Sequence, residues 1–103
     1  MTDKVMLADT ETLTRVAEIF ATLGDPTRLR LIAVLSSGEM GVGELARTIE
    51  ISESAVSHQL RLLRALRIVR GRRSGREVFY TLDDQHVHDL LLLGIAHISE
   101  KHE

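Results

Sequence analysis

Two short amphipathic segments separated by a break of only a few residues constrain the fold of this chain most. The first runs over residues 42–49, and the second begins after Ser52, a residue type that caps helix N-termini. Apolar side chains recur at helical spacing in both segments, so each segment can bury one face. The pattern predicts two short helices joined by a tight turn, as in a helix-turn-helix.

The residues before this pair predict two further helices. Asp9 or Thr10 can cap the first of them, and Gly24 ends it. Asp25-Pro26 can start the next one, because proline at the first helical position lacks only an amide hydrogen that has no partner there. That helix is expected to end near Ser36.

The residues after the pair predict a β-hairpin and a last helix. β-Branched and aromatic residues at 68–70 and 78–82 flank a turn that contains Gly75. A helix is expected to open at Asp83-Asp84 and run toward Lys101. We therefore predict a mainly α protein with a β-hairpin, in the order of a winged helix-turn-helix. Its 103 residues suit one such domain, spanning residues 1–103.

The charge distribution favours a nucleic-acid partner. The formal net charge is −2, yet no acidic residue lies between Ser54 and Arg76, a stretch that holds seven arginines and leaves −9 for the rest of the chain. These are Arg61, Arg64, Arg67, Arg70, Arg72, Arg73 and Arg76. A basic stripe on an acidic body is typical of a protein that docks one face on phosphates. The alternative is a solvated helix face, which a neighbouring acid would usually balance.

The composition excludes several classes of protein. With no cysteine, the chain can form neither a disulfide nor a thiolate metal site, so any metal must be held by nitrogen and oxygen. No apolar run is longer than the five residues from Leu31 to Leu35, the run from Leu90 to Leu93 has four, and the first residues contain no apolar signal core. We therefore expect a cytoplasmic protein with no membrane partner.

Polar residues on the second helix of the pair and on the hairpin are the candidate contacts to double-stranded DNA. Gln59 is the best candidate for a bidentate bond to adenine, and the arginines suit phosphates. A polar helix face can also be merely solvent-exposed. The candidates on the helix are Ser54, Ser57, His58, Gln59, Arg61 and Arg64, and those on the hairpin are Arg72, Arg73 and Arg76.

Three stretches resemble one known family. They are residues 21–31, 52–63 and 78–82, and the most specific part is Val56-Ser57-His58-Gln59-Leu60. In these residues the chain is similar to the ArsR/SmtB metal-responsive repressors. The resemblance implies a homodimer, joined through its N- and C-terminal helices, that represses transcription in a prokaryotic cytoplasm until a ligand releases it from an operator. It also places His58 in the DNA-facing motif rather than among metal ligands.

Four histidines near the C-terminus suggest a metal site. They are His86, His88, His97 and His102. His97 and Glu100 share one helix face, but His86 lies 11 residues earlier, which is roughly 16 Å along a helix. One chain therefore cannot close a shell around both.

An antiparallel copy of the last helix removes this difficulty. If a two-fold axis crosses near Leu91-Leu92, His86 faces the partner's His97 and Asp84, at the helix cap, faces the partner's Glu100. Symmetry then gives two sites of two nitrogens and two oxygens, a set that suits tetrahedral zinc. His88 falls off this face and is expected to be solvated, whereas His102 could complete a larger shell for Ni²⁺ or Co²⁺.

The resemblance supports this ligand set and suggests a mechanism. The family's zinc sensors with a site on the C-terminal helix match Asp84, His86, His97 and Glu100, and residues 41–45 lack the cysteines of the family's thiolate site. It also implies that the second nitrogen of His97 donates to a backbone carbonyl near Arg67. Three alternatives stay open, namely solvated surface histidines, a zinc hydrolase with an open coordination position, and a metal-independent regulator.

Overall fold

The computed structural model describes residues 4–101, and these form six helices and three short strands. In chain order they are α1 (Lys4–Leu7), α2 (Thr10–Leu23), α3 (Pro26–Leu35), β1 (Met40–Gly41), α4 (Val42–Ile49), α5 (Glu53–Ala65), β2 (Val69–Ser74), β3 (Glu77–Leu82) and α6 (His86–Lys101). The mainly helical fold with a basic hairpin is therefore confirmed, whereas α1 and β1 were not predicted.

Three helices begin at the caps that the sequence predicts. Asp9, Asp25 and Ser52 each accept a hydrogen bond from the backbone amide three residues further on, at 2.7, 3.0 and 3.0 Å. Pro26 occupies the first turn of α3, where its missing amide hydrogen costs nothing. Each cap of this kind contributes about 1 kcal/mol to helix stability.

The hairpin belongs to a small antiparallel sheet with the strand order β1-β3-β2. Strands β2 and β3 pair from Val69 with Leu82 to Ser74 with Glu77, so the hairpin is longer than predicted. Gly75 takes the left-handed conformation in the two-residue turn, with φ of 62°. Strand β1 adds only two pairs on the other side of β3, and it ties the start of α4 to the hairpin.

One cluster of buried apolar side chains joins the helix pair to the sheet. Helices α3, α4 and α5 supply most of it, and β2 and α6 add one buried side chain each. The members with no measurable exposure are Leu31, Ile32, Leu45, Val56 and Leu63. Because α4 and α5 pack into the same core, the angle between them is set by close packing.

Helices α2 and α6 leave apolar faces uncovered. In α2, Phe20 is 56% exposed, and in α6 Leu93 and Ile98 are 67% and 60% exposed. Leu13 and Val16 in α2 and Leu92 and Ile95 in α6 are exposed as well. No helix within residues 4–101 is long and apolar enough to cross a membrane.

Helix α6 begins later than predicted. Its first residue is His86, whereas the sequence suggested a start at Asp83-Asp84. The Asp84 carboxylate accepts a hydrogen bond from the His86 backbone amide at 2.9 Å, so Asp84 caps the helix from outside rather than belonging to it. This agrees with the expected place of Asp84 at the cap.

In the described part of the chain, two residues other than glycine hold the left-handed conformation at helix ends. Glu50 ends α4 with φ of 60°, and Arg67 follows α5 with φ of 58°. At Arg67 the amides of residues 67 and 68 bond back to the carbonyls of Arg64 and Leu63, which is the pattern of a Schellman motif. Glycine is the usual residue at such positions because a Cβ is strained there.

We expect Glu50→Gly to raise the free energy of unfolding by about 0.5–1 kcal/mol, because it removes the strain of a Cβ at positive φ. Glu50→Ala is the matched control, since it removes the same carboxylate and keeps the Cβ. Urea unfolding at one fixed protein concentration measures both. Equal stabilities of the two variants would contradict this account of the turn.

Candidate functional site

Helix α5 presents a polar face because its other face is held in the core. Val56, Leu60 and Leu63 are at most 1% exposed and set the rotation of the helix. Five of the predicted contacts lie on the outer side, and all five are exposed. They are Ser54, Ser57, His58, Arg61 and Arg64.

Gln59 is placed differently from these five. It is half-buried, and its Oε1 accepts a hydrogen bond from Nε of Arg28 at 2.8 Å. A bidentate contact to adenine needs both ends of the amide at the outer surface. Here the side chain joins α5 to α3, so Gln59 as a base contact stays a prediction that would require the amide to leave Arg28.

Two arginines of α3 connect neighbouring helices of the scaffold. Besides bonding Gln59, Arg28 donates from Nη1 to the carbonyl of Thr22 at 3.0 Å. Arg30 donates from Nη2 to the carbonyl of Ile49 at 3.0 Å and thereby satisfies the end of α4. Together the two side chains tie α3 to α2, α4 and α5.

The hairpin places Arg76 beside the polar face of α5. Arg73 and Arg76 are exposed, and Arg76 lies in the turn itself. Arg76 and Ser57 also line one cleft, of about 690 Å³, between α4, α5 and the hairpin. The structure therefore brings candidates from both elements to one side of the molecule.

Arg72, the remaining candidate on the hairpin, already has partners within the molecule. It lies within β2, and its guanidinium makes two hydrogen bonds to the Glu39 carboxylate, at 2.7 and 3.0 Å. The guanidinium also lies over the ring of Phe79, 5.4 Å from its centroid. One of the seven positive charges is thus balanced by an acid from outside the basic stretch.

The pairing of Glu39 with Arg72 favours the charged form of each side chain. The hydrogen bond from Arg72 is the main reason that the pKa of Glu39 lies below its usual value, and burial opposes it. The same bond raises the pKa of Arg72. Both groups face solvent, so salt screens their attraction.

The first two predicted metal ligands lie side by side at the start of α6. Nδ1 of His86 is 3.2 Å from Oδ2 of Asp84, and both side chains are exposed. In a tetrahedral zinc shell with bonds of 2.0–2.1 Å, neighbouring donor atoms are about 3.3 Å apart. The two side chains therefore fit adjacent positions of such a shell.

His97 and Glu100 are exposed in the last turns of α6, at positions that share one face. Within residues 4–101 of one chain, no three His, Asp or Glu side chains form a group that could hold a metal ion. The four-ligand set across two chains stays a prediction. His102 lies outside the described residues.

His88 is not solvated, which corrects the expectation from the sequence. Its side chain is half-buried, and Nδ1 lies 2.9 Å from Oγ of Ser36 at the end of α3. The helical spacing correctly put His88 off the face of the other ligands. It did not show that α3 covers this side.

Sequence reasoning missed the polar residues that work within the scaffold. Arg28 and Arg30 are the charged residues of a largely apolar helix, and their charge was the available signal. Glu39 and Ser36 carry no comparable signal, because their partners are 33 and 52 residues away in the chain.

A helix-turn-helix with an exposed basic face, followed by a hairpin that extends that face, defines a winged helix-turn-helix DNA-binding protein. The profile described as bacterial regulatory protein, arsR family, matches residues 25–70. The HTH-type transcriptional regulator NmtR of Mycobacterium tuberculosis is 42% identical over 94 residues, which cover 91% of this chain and 78% of NmtR. The chain belongs to the ArsR family.

Another relative and two solved structures support this assignment. A transcriptional repressor SmtB homolog of Synechocystis is 49% identical over 86 residues, which are 84% of this chain and 65% of that protein. The AntR antimony-specific transcriptional repressor has a TM-score of 0.81 at 35% identity, covering 90% of this chain and 85% of AntR. The homodimeric winged helix-turn-helix domain Mb0332 of Mycobacterium bovis has a TM-score of 0.78 at 25% identity, covering 92% of this chain and 89% of that domain.

These relatives confirm two expectations from the sequence, the winged helix-turn-helix fold and a regulator rather than an enzyme. They place the chain in a family that includes metal-responsive repressors.

The Glu39–Arg72 pair gives a pH-dependent prediction. Because the pKa of Glu39 is lowered in the folded protein, the pair stabilises the fold above the unfolded pKa, and this contribution is lost as the pH falls through the folded pKa. We expect the NMR titration midpoint of the Glu39 carboxyl to rise toward about 4.3, the ordinary value for Glu, in Arg72→Gln. The same midpoint in both proteins would show that the two side chains do not pair in solution.

Proposed function

We propose that this protein is a cytoplasmic, metal-responsive transcriptional repressor, a single winged helix-turn-helix domain that binds operator DNA as a metal-free homodimer and is released when zinc binds between the subunits. The observation that carries the proposal is the pairing of Asp84 with His86 at the start of α6, with both side chains open to a ligand. Nickel or cobalt is the alternative ligand.

The DNA-binding part rests on the exposed polar face of α5 and the arginines of the hairpin. The serines and His58 near the N-terminal end of α5 would meet base edges or phosphates. Arg61 and Arg64 on α5 and Arg73 and Arg76 on the hairpin would neutralise phosphates, whereas Arg72 would first have to leave Glu39. Acidic residues dominate the remaining sequence and would disfavour other orientations.

The dimer rests on the uncovered apolar faces of α2 and α6. Burying a leucine or isoleucine side chain stabilises an interface by roughly 1.5–3 kcal/mol. Exposed apolar residues occupy α6 from Leu90 to Ile98, and α2 carries three more. A two-fold axis through α6 would cover both copies of this face at once.

The zinc site would combine residues of both subunits. Bound zinc would supply a divalent cation that fixes four donors in tetrahedral geometry. Asp84 and His86 would offer two donors from one subunit, and the partner's His97 and Glu100 would offer the other two. Such a site responds to the relative position of the subunits, which is also what sets the spacing of the two α5 helices.

His97 would transmit the metal signal to the DNA-binding part. A metal-bound imidazole has one N–H left, and that N–H needs an acceptor. The resemblance to the family suggests the backbone carbonyl near Arg67, at the junction of α5 and the hairpin. Among the hydrogen bonds of residues 4–101, none ends on the Arg67 carbonyl oxygen, which agrees with a free acceptor there.

The release itself follows from linkage. Zinc lowers DNA affinity only if it binds the free dimer more tightly than the DNA-bound dimer, and DNA must then weaken zinc binding by the same factor. A metal-independent regulator would show neither effect.

We expect Arg61→Ala to weaken operator binding and to reduce the slope of log K against log salt by about 1, because one phosphate contact is lost. Arg15→Ala, which removes an exposed arginine from α2, is the control and should leave the slope unchanged. Fluorescence anisotropy at several salt concentrations measures both. Equal slopes for Arg61→Ala and the unmodified protein would contradict a phosphate contact from Arg61 on α5.

Zinc titrated into the metal-free protein bound to labelled operator should lower the affinity at least tenfold, within the usual range of allosteric coupling. His97→Asn should retain part of the zinc affinity and lose most of this effect. The same operator affinity with zinc and with a chelator, at constant salt, would instead support the metal-independent regulator. Full release in His97→Asn would exclude the route through His97.

A further inference from the structure

The buried contacts of helix α6 with its own subunit lie in its first turns. Val87 is the one buried side chain of the helix within the described residues, and Leu91 is half-buried. From Leu92 onward the described side chains are exposed. The contact between His88 and Ser36 is the only hydrogen bond among residues 4–101 that joins a side chain of α6 to another element.

The direction of this hydrogen bond can be assigned from its surroundings. The Ser36 hydroxyl donates its hydrogen to the carbonyl of Ile32, at 2.9 Å. With that hydrogen on the Ile32 carbonyl, Ser36 accepts at His88, which requires the tautomer of His88 that carries its hydrogen on Nδ1. An asparagine at position 88 could place an amide N–H near the same point, whereas alanine could not.

The other end of α3 is bonded to the recognition helix. Arg28, in the first turn of α3, donates to Gln59 on α5 and to the carbonyl of Thr22. Ser36 follows the last residue of α3, so the ten-residue helix, about 15 Å long, lies between the two contacts. The buried side chains of Leu31, Ile32 and Leu35 lock α3 into the core.

From this arrangement we infer that His88 is a positioning residue, and that α3 is a strut that carries movement of the first turn of α6 to α5. The inference rests on the proposed function, since it concerns how zinc at Asp84 and His86 changes DNA affinity. His88 lies in the helical turn that begins at His86. Any reorientation of that turn must either move Ser36 or break the bond to it.

This route is separate from the one through His97, which lies in the later turns of α6. The two routes make different demands on the protein. The His97 route starts from an N–H that needs an acceptor once zinc binds the other nitrogen, whereas the strut lies within one subunit and exists before zinc binds.

The matched variants Ser36→Ala and Ser37→Ala test the strut. Both serine hydroxyls donate to a carbonyl within their own turn, but only Ser36 also accepts from His88. We expect Ser36→Ala to reduce the factor by which zinc weakens operator binding by about three- to tenfold, the effect of one hydrogen bond. Ser37→Ala should leave this factor unchanged.

The reduced effect of zinc in Ser36→Ala should arise from tighter zinc binding to the DNA-bound dimer. Without the bond, the first turn of α6 can adjust to zinc while α3 stays in its DNA-bound position. Zinc should therefore bind the DNA-bound dimer of Ser36→Ala more tightly by the same three- to tenfold factor, and the free dimer nearly as before. His88→Ala should behave like Ser36→Ala, and His88→Asn should recover most of the coupling.

A metal-free measurement keeps this test independent of the proposed function. The Nδ1–H proton of His88 should give a slowly exchanging NMR signal in the unmodified protein, and that signal should vanish in Ser36→Ala. Its absence from the unmodified protein would overturn the inference. If zinc fails to release the unmodified protein, the proposed function fails, whatever the state of this bond.

Three other results would overturn the strut. Equal coupling in Ser36→Ala and Ser37→Ala would show that the bond transmits nothing. A loss of zinc affinity in the free dimer of His88→Ala would make His88 a ligand instead. The double variant Ser36→Ala with Arg28→Lys should lose no more of the zinc effect on operator binding than either single variant, because breaking one end of the strut already stops transmission. Additive losses would show that the two ends act independently.

Discussion

The packing of the first turns of α6 against its own subunit is the constraint on which the rest of this structure depends. Val87 and the bond from His88 to Ser36 hold the first turns, and the exposed apolar residues beyond them lack cover from their own chain. A helix that is anchored at one end and exposes apolar residues along the rest is suited to pack against a second copy of itself. The same anchoring puts Asp84 and His86 at the fixed end, and His97 and Glu100 at the end that would reach a partner.

The DNA-facing side depends on a different set of polar contacts. Two arginines belong to the scaffold. Arg28 donates to the Gln59 amide and holds α5 against α3, and Arg30 donates to the Ile49 carbonyl at the end of α4. Within residues 4–101, the arginines on the outer face have no such partners, apart from Arg72 with Glu39. The distinction matters because only the unpaired charges can neutralise phosphates without first losing an intrachain bond.

The sequence predicted those parts of the fold that local interactions determine. The caps at Asp9, Asp25 and Ser52 act on amides three residues away, so spacing and residue type were sufficient to place them. The start of α6 was predicted too early because Asp84 caps from outside the helix. Strand β1 has two residues and no periodicity of its own, so only its pairing with β3 defines it.

Contacts between residues far apart in the chain were beyond sequence reasoning. Gln59 lies on the helical segment that was expected to read DNA, and nothing near it in the chain indicates that Arg28 binds its amide. The position of His88 off the ligand face followed from helical spacing, but its cover by α3 depends on tertiary packing. The pairing of Asp84 with His86 makes those two predicted ligands neighbours, and the predicted shell would take its other donors from a second subunit.

A mixing experiment tests the shared shell most directly. One variant carries Asp84→Ala with His86→Ala, the other carries His97→Ala with Glu100→Ala, and each homodimer lacks half of every predicted site. The heterodimer would regain one complete site, formed by the intact first pair of one subunit and the intact second pair of the other. We predict that mixing restores tight zinc binding at one ion per heterodimer. Zinc binding that stays as weak in the mixture as in either variant alone would contradict a site built from two subunits.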